Sequence, residues 1–381
     1  MILTKYEEGA LRGEHGDILQ MAYRILVATG EATDADRLIP IHWVHLSGVN
    51  YNTIGDAGEQ FLRSIRHKAR VQVRTTLNPA GFDKDTVHEY AITDEFIKKQ
   101  ESIKTSYKMM GVETSFSCIP YDIFDIPTAG TQVSFAESNA AIHANSLDKL
   151  KTNKESSFSA LASALTGKSP YNEFRGDISP DVTVDVDMPN LTELDWGMLG
   201  LFAGRVSEKC VSISGAVPSD RRTCKALCGG MGTSGTCAKF TTDTAPDTEH
   251  ISFGRQEAKK IHDELNTAET GDTIILGSPQ LSLPEIESLI EMLRGRRFTK
   301  RCMLFCPRTV KESAAPHIET LERANVHLLA DCCACLTPLL STDDTDGVIT
   351  NSIKGAYYLQ KSNGLDVSLK SLQDIIREYS R

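Results

Sequence analysis

The last third of the chain alternates between strand-like and helix-like segments. From residue 257 onward, short apolar runs such as Ile274-Ile275-Leu276 are separated by stretches with apolar residues at helical spacing. This pattern predicts helices over 257–265, 283–293, 318–324 and 369–379, and strands over 273–277, 302–306 and 326–329. Such alternation is typical of parallel strands joined by crossover helices. The sequence therefore predicts an α/β fold.

The preceding residues divide into two further regions. Apolar runs at 38–46, 71–73, 116–119 and 133–135 predict strands, and helical spacing predicts helices over 4–30, 55–65 and 96–110. Residues 172–189 are rich in Asp and Pro and have no helical period, which predicts a loop or a domain boundary. Residues 191–250 are rich in Gly and Thr, with one short helix predicted at 224–228. We expect an N-terminal α/β region over 1–171, a middle region over 172–250 and a C-terminal α/β region over 251–381.

The net charge and the hydropathy of the chain argue against binding to nucleic acid and against association with a membrane. The formal net charge of −10 disfavours non-specific binding to nucleic acid or to an anionic membrane, although a local pocket can still accept an anionic small molecule. Residues 1–10 lack the apolar core of a signal peptide, and no apolar run reaches the roughly 18 residues of a membrane span. We expect a cytoplasmic protein whose ten cysteines are reduced.

Small polar residues follow many of the predicted strands. Such segments occur at 47–50, 75–78, 118–121, 137–139, 277–280, 331–335 and 350–354. The ends of strands are where α/β enzymes place their chemistry, and a set of hydrogen-bonding groups there suits a small oxygen-rich ligand. The pattern indicates a polar cleft, without showing that all seven segments meet in it.

Two cysteines are candidates for a metal site. Cys118 precedes Pro120 at a predicted strand end. In the segment Asp331-Cys332-Cys333-Ala334-Cys335, neighbouring side chains of a continuing strand point to opposite faces, which favours Cys333 over Cys332 for the cleft. Clustered thiolates suit iron–sulfur clusters or zinc. A four-iron cluster that leaves one iron open to substrate needs three thiolates, and the pattern does not identify the third.

The other cysteines fit burial better than metal binding. Cys302 and Cys306 lie on one face of a predicted strand, and Cys224 and Cys228 lie on one helix face without a second pair of ligands. Among charged residues, Lys354 is a candidate ligand for phosphate or carboxylate. Glu137 is a candidate general acid/base or hydrogen-bond anchor. His45, at a strand end, is the one histidine of interest.

An ordered set of motifs along the whole chain resembles the large subunit of the aconitase X family. The matching stretches include His45-Leu46-Ser47-Gly48-Val49-Asn50-Tyr51, Thr75-Thr76-Leu77-Asn78-Pro79, Cys118-Ile119-Pro120-Tyr121, Glu137-Ser138-Asn139-Ala140 and Thr350-Asn351-Ser352 with Lys354. No single stretch is decisive, but their order along the chain is highly specific.

The resemblance implies a dehydratase with an aconitase-like, multi-domain core of parallel sheets and crossover helices. It further implies an iron–sulfur cluster, most simply a [4Fe–4S] cluster, and a separate small "swivel" subunit. The family's activities remove water from mevalonate 5-phosphate in the archaeal mevalonate pathway, which is our first expectation, or from cis-3-hydroxy-L-proline. By resemblance, the cluster ligands are Cys118 and Cys333. The substrate-binding residues implied in the same way are Gly48, Val49, Asn50, Asn78, Pro79, Ser138, Asn139, Ser352 and Lys354. We expect Lys354 and Glu137 to be the catalytic residues.

The chain departs from the family pattern at important positions. Ser278 stands where a third cluster cysteine is expected, and Gln280 replaces the usual histidine. A serine oxygen can bind iron but matches it less well than a thiolate does. Cys302, Cys306 or Cys335 could take the missing place. Three hypotheses remain: an active dehydratase subunit with an altered or less stable cluster, a dehydratase for another hydroxy acid, or a non-catalytic binding or assembly partner.

Overall fold

The computed structural model describes residues 1–245, 247–342 and 345–381. Its first part begins with a helix capped by Thr4, whose hydroxyl and backbone N–H exchange hydrogen bonds with Glu7 as a capping box. The elements are α1 (Lys5–Leu11), α2 (Asp17–Ala32), β1 (Leu38–Pro40), β2 (Trp43–Leu46), α3 (Tyr51–Ile65), β3 (Arg74–Leu77), α4 (Asp94–Met109), α5 (Pro120–Ile123), β4 (Val133–Phe135), α6 (Ser138–Ser146), α7 (Ser157–Thr166) and β5 (Lys168–Pro170). β2, β3 and β4 form a parallel sheet in the order β3-β2-β4, and β1 pairs with β5 antiparallel.

The single helix predicted over 4–30 is wrong. The chain instead forms α1 and α2, because Gly13 and Gly16 between them have φ angles of 88° and 90°. A helix cannot continue through such left-handed backbone.

The middle of the chain is more regular than its composition predicts. It contains β6 (Val182–Val186), α8 (Glu193–Val206), β7 (Cys210–Ser214), α9 (Arg221–Gly232), β8 (Lys239–Thr241), β9 (Glu249–Phe253) and α10 (Arg255–Leu265). The four strands form a parallel sheet in the order β8-β7-β6-β9. The sequence predicts a loop or a domain boundary over 172–189. The loop is wrong for 182–186, since the buried Val182 and Val184 mark the inward face of β6, and the domain boundary stays a prediction.

Glycines explain why α8 was not predicted. Glycine disfavours isolated helices, yet here it lets α8 and α9 pack with their backbones in contact. A Cβ on Gly200 would lie 2.2 Å from the carbonyl oxygen of Leu227, and one on Gly230 would lie 2.0 Å from that of Gly197. The same packing places Gly232 of α9 directly beneath Ser138 and Asn139 at the start of α6.

The C-terminal part confirms the predicted parallel sheet with crossover helices. Its elements are β10 (Thr273–Leu276), α11 (Leu283–Leu293), β11 (Arg301–Cys306), α12 (Arg308–Ser313), α13 (Ile318–Arg323), β12 (Val326–Ala330), β13 (Val348–Thr350), α14 (Ile353–Lys361), β14 (Val367–Leu369) and α15 (Leu372–Tyr379). All five strands are parallel, in the order β12-β11-β10-β13-β14. The domain boundaries proposed from the sequence stay predictions. In the part of the chain that is described, no helix is long and apolar enough to cross a membrane.

A buried ion network joins the N-terminal and C-terminal sheets. The side chain of Asp83 is fully buried. Its carboxylate pairs with Arg308 and Lys311 and accepts a hydrogen bond from the backbone N–H of Ala330. Arg308 also pairs with Asp331, and the N–H of Ala80 donates to the Asp331 carbonyl at 2.7 Å. These contacts fix the end of β12 against the loop that follows β3.

Candidate functional site

A cavity of about 200 Å³ opens where the carboxyl ends of strands from two sheets meet. The loops after β2, β3 and β4 form one side, and the segment after β12 together with α14 forms the other. Its lining residues are Ser47, Gly48, Val49, Asn50, Thr53, Asn78, Pro79, Ala80, Cys118, Ala136, Glu137, Ser138, Ser157, Cys333, Cys335, Leu336, Lys354 and Tyr358. Gly48 has a φ of +75°, and a Cβ there would lie 2.8 Å from the Ser157 hydroxyl, so this wall requires glycine.

A buried ion pair crosses the cavity. The Lys354 ammonium pairs with the Glu137 carboxylate and donates to Oδ1 of Asn139 at 2.8 Å. The amide of Asn139 donates in turn to the Cys118 carbonyl at 3.0 Å and to the Tyr121 hydroxyl at 3.2 Å. An ammonium has three N–H groups. Two are thus used within the protein, and the third can reach a ligand in the cavity.

A chain of hydrogen bonds through Asn78, His45 and Thr76 holds the Glu137 carboxylate in place. Asn78 donates its amide N–H to Glu137 Oε2 at 2.6 Å, so its own Oδ1 faces Nε2 of His45 at 2.8 Å. His45 must then carry its proton on Nε2, and its Nδ1 accepts from the Thr76 hydroxyl at 2.8 Å. Thr76 Oγ1 also accepts from the Trp43 indole at 2.9 Å. The orientation of each side chain in this chain of hydrogen bonds is therefore defined.

The protonation states follow from burial and pairing. Burial raises the pKa of Glu137, but Lys354 and Asn78 outweigh it, and the net pKa lies below the usual value of a glutamate. Burial lowers the pKa of Lys354, but Glu137 outweighs it, and the net pKa lies well above the ordinary value of a lysine. Burial also lowers the pKa of His45 to about 4, against the effect of Glu137. At neutral pH the pair is charged and His45 is neutral.

Three cysteines, Cys118, Cys333 and Cys335, form part of the cavity wall. The Cys333 thiol interacts with the thiols of both Cys118 and Cys335, and Cys335 Sγ lies 2.9 Å from the Ser278 hydroxyl. Burial raises the pKa of Cys118 well above that of an ordinary thiol, with Cys333 adding to the effect. A hydrogen bond with Cys333 lowers the pKa of Cys335, and Lys354 and Ser278 lower it further against the effect of burial. Over the described residues, all ten cysteines are free.

The side chains on this wall include three cysteines. Within the described ranges, no group of three or more His, Cys, Asp or Glu side chains is arranged to hold a metal ion. An iron–sulfur cluster distributes its thiolates over separate iron atoms. Three cysteine sulfurs beside one cavity supply the soft donors that such a cluster requires.

Gln280 fixes the backbone around the thiols. Its Oε1 accepts from the Cys118 N–H at 3.0 Å, and its Nε2 lies within hydrogen-bond distance of the carbonyls of Phe116, Cys306 and Cys332, at 3.2, 3.1 and 3.0 Å. The backbone N–H of Gln280 also donates to Cys118 Sγ at 3.3 Å. This fully buried side chain joins the two cysteine-bearing segments to the end of β10.

The structure places ten of the thirteen predicted site residues on the cavity wall: Gly48, Val49, Asn50, Asn78, Pro79, Cys118, Glu137, Ser138, Cys333 and Lys354. Asn139 lies behind the wall and holds Lys354. Ser278 and Ser352 line a smaller adjoining cavity, which Lys354 also borders. Ser352 caps α14 and donates its hydroxyl to the Ser278 carbonyl.

Two further lining residues had a signal in the sequence. Tyr358 lies four residues after Lys354 on α14, and residues at that spacing share a helix face. Cys335 lies two residues after Cys333, and the alternation that favours Cys333 over Cys332 also places Cys335 on the Cys333 side. Thr53 and Ser157 had no comparable signal, because their place depends on how α3 and α7 pack.

Parallel sheets with a polar, thiol-lined cavity at their strand ends define an α/β protein of the aconitase-like class. Family models of the aconitase X first, second and third domains match residues 1–174, 180–269 and 271–381. The chain belongs to the aconitase X family.

Similar proteins cover the chain from end to end. It is 34% identical to the phosphomevalonate dehydratase large subunit of Thermococcus kodakarensis, over 99% of this chain and 100% of that protein. It is 32% identical to the protein of that name from Methanocaldococcus jannaschii, with the same coverage. It is 29% identical to the cis-3-hydroxy-L-proline dehydratase of Pseudomonas aeruginosa, over 97% of this chain and 68% of that protein. The crystal structure of the holo-form of aconitase X from Thermococcus kodakaraensis, 33% identical, superposes with a TM-score of 0.91 and full coverage of both chains.

Proposed function

We propose that this chain is the large subunit of a phosphomevalonate dehydratase. The observation that carries the proposal is the Lys354–Glu137 pair beside three cysteine thiols in one cavity. Relatives named phosphomevalonate dehydratase large subunit, similar over almost the whole chain, support the substrate. Their name also supports a separate small subunit, which would cover the cavity and complete the site.

The cavity is built to attract an anion despite the net negative charge of the chain. Helices α6 and α14 both begin at its wall, and the amino ends of helices carry partial positive charge. Lys354 adds a full positive charge, which Glu137 only partly offsets for a ligand on the open side. Mevalonate 5-phosphate carries a carboxylate and a phosphate, so both its ends suit such a site.

The reaction removes a proton from the carbon next to the carboxylate and hydroxide from the following carbon. We propose that Cys118 and Cys333 bind an iron–sulfur cluster, with Ser278 at the position predicted for a third ligand. When bound, the cluster supplies a Lewis acid that assists departure of the hydroxyl group. Lys354 and the backbone near Gly48 hold the carboxylate or phosphate.

The contacts of Glu137 favour an anchoring role over a general base. Its two carboxylate oxygens accept from Lys354 and Asn78, which keep its pKa low and its proton affinity weak. Glu137 keeps Lys354 charged and directed into the cavity. The base that removes the proton then comes with the small subunit.

The substrate is tested by comparing two hydroxy acids with the purified complex of this chain and its cognate small subunit. We expect kcat/KM for mevalonate 5-phosphate to exceed that for cis-3-hydroxy-L-proline by at least about 100-fold, because the unphosphorylated acid leaves part of the cationic site unpaired. The opposite preference would favour the hydroxyproline dehydratases that are also similar to this chain. Turnover of neither acid by iron-loaded complex would favour a non-catalytic partner.

A further inference from the structure

The cysteine at position 335 shares the wall of the cavity with the two predicted cluster ligands. Cys118, Cys333 and Cys335 all line the cavity, and Cys333 interacts with both of the others. Ser278 does not line this cavity but borders the adjoining one, and its hydroxyl lies 2.9 Å from Cys335 Sγ. A sulfur atom therefore lies next to the position where serine replaces the expected ligand.

We propose that Cys335 is the third cysteine ligand of the cluster, and that Ser278 positions its sulfur through a hydrogen bond. This inference rests on the proposed function, because it assumes that the cavity holds a cluster. On binding, each of the three thiols loses its proton to solvent and its sulfur forms one bond to iron, with no change in the oxidation state of the sulfur. The hard hydroxyl oxygen is then a hydrogen-bond donor and not a ligand, which suits its chemistry better.

The local backbone brings Cys333 and Cys335 to the same side. Cys333 is extended, with φ and ψ of −135° and 144°, and residues 334–336 then form a single 3₁₀ turn. Cys332 and Ala334 pack into the large core cluster. The turn is held in place at Leu336, whose carbonyl accepts from the side-chain amides of Asn50 at 2.9 Å and Asn52 at 3.0 Å.

The other two cysteines that could replace the missing ligand are not available. Cys302 and Cys306 both lie in the core between β11 and its covering helices, packed with residues such as Leu304 and Val326. Neither lines the cavity. Of the three possible replacements, Cys335 is the one that the fold brings to the thiol wall.

The proposal is tested by cluster content rather than by activity. The complex of this chain with its small subunit would be reconstituted anaerobically with iron and sulfide, and bound iron, acid-labile sulfide and EPR or Mössbauer spectra would be measured. We expect iron per chain in Cys335→Ala and Cys335→Ser to fall at least about twofold below wild type, because a thiolate ligand is lost. Cys332→Ala, altered in the same segment but in the core, is the matched control and should keep wild-type iron. Circular dichroism identifies any variant that fails to fold.

The Ser278→Ala variant distinguishes between Cys335 and Ser278 as the third ligand. If Cys335 is the ligand, Ser278→Ala removes only the hydrogen bond that positions its sulfur and retains most of the wild-type iron content, whereas adding Ser278→Cys to Cys335→Ala restores iron by supplying a sulfur at the neighbouring position. Loss of iron in Ser278→Ala with full iron in Cys335→Ala would overturn the proposal while leaving the cluster in place. Wild-type complex that binds no iron would instead overturn the cofactor of the proposed function, and this inference with it.

Discussion

Replacing Lys354 by methionine is expected to lower kcat/KM for dehydration by about 10²–10³-fold. The substitution keeps the length of the side chain but removes the one full positive charge that the described residues place on the cavity wall. The substrate then loses its charge-assisted hydrogen bond, and the Glu137 carboxylate becomes the dominant charge facing it. Steady-state kinetics of the variant complex measures the effect.

The free energy of unfolding is a second quantity that the Lys354→Met variant is expected to change. Removing one partner of a buried ion pair leaves the other uncompensated, so Lys354→Met should also lower the free energy of unfolding by about 3–5 kcal/mol. The double variant Lys354→Met/Glu137→Gln removes both charges and should recover most of that stability without recovering activity. Lys361→Met, exposed on the same helix, is the matched control and should change neither quantity. A double variant as active as wild type would show that the pair is only structural.

Replacing Arg175 by methionine is expected to lower the free energy of unfolding by about 3–5 kcal/mol, measured by urea denaturation of the isolated chain. The Arg175 side chain is fully buried and pairs with the equally buried Glu155. Burial lowers the pKa of Arg175 to about 10, against the effect of Glu155, so it remains charged at neutral pH. The guanidinium also donates to Ser169 Oγ and to the carbonyl of Val133 on β4.

The cost is large because methionine removes the charged partner of the buried Glu155 and one donor from each of several buried acceptors. Besides Glu155, Ser169 and Val133, the guanidinium satisfies the carbonyls of Pro170 and Lys151. Glu155, Pro170 and Lys151 each keep a second donor, so the broken buried ion pair accounts for the larger part of the cost. Arg323→Met, with both partners of its ion pair exposed, is the control and should change stability by less than about 0.5 kcal/mol. A loss below about 1 kcal/mol in Arg175→Met would mean that water replaces the guanidinium at these acceptors.

The sequence predicts the parallel C-terminal sheet because its apolar runs and helical stretches alternate regularly. It does not predict α8, because Gly197 and Gly200 weaken an isolated helix and become favourable only when α9 packs against them. The strand β6 has the alternation of Val182 and Val184, but the surrounding Asp and Pro residues obscure it. Secondary-structure propensity depends on the local sequence alone, whereas α8 and β6 also depend on tertiary contacts.

The candidate site could likewise be predicted from the sequence only in part. Alternation along the chain distinguishes Cys333 from Cys332, and strand ends mark Asn78 and Glu137 as polar groups at a sheet edge. Their meeting with Lys354 could not be derived from local pattern, because Lys354 is 217 residues away from Glu137 and follows a strand of a different sheet. The interaction of Cys335 with Ser278 spans 57 residues and depends on the 3₁₀ turn after Cys333.

The most direct test of the proposed function is the product formed from mevalonate 5-phosphate. The complex of this chain with its small subunit, reconstituted anaerobically and with its iron content measured, would be incubated with the substrate and followed by proton NMR. We predict the appearance of a vinyl proton and a product lighter by one water, anhydromevalonate phosphate, from wild type, and about 10²–10³-fold slower formation of the same product by Lys354→Met. Iron-loaded wild-type complex that leaves mevalonate 5-phosphate unchanged would contradict this function.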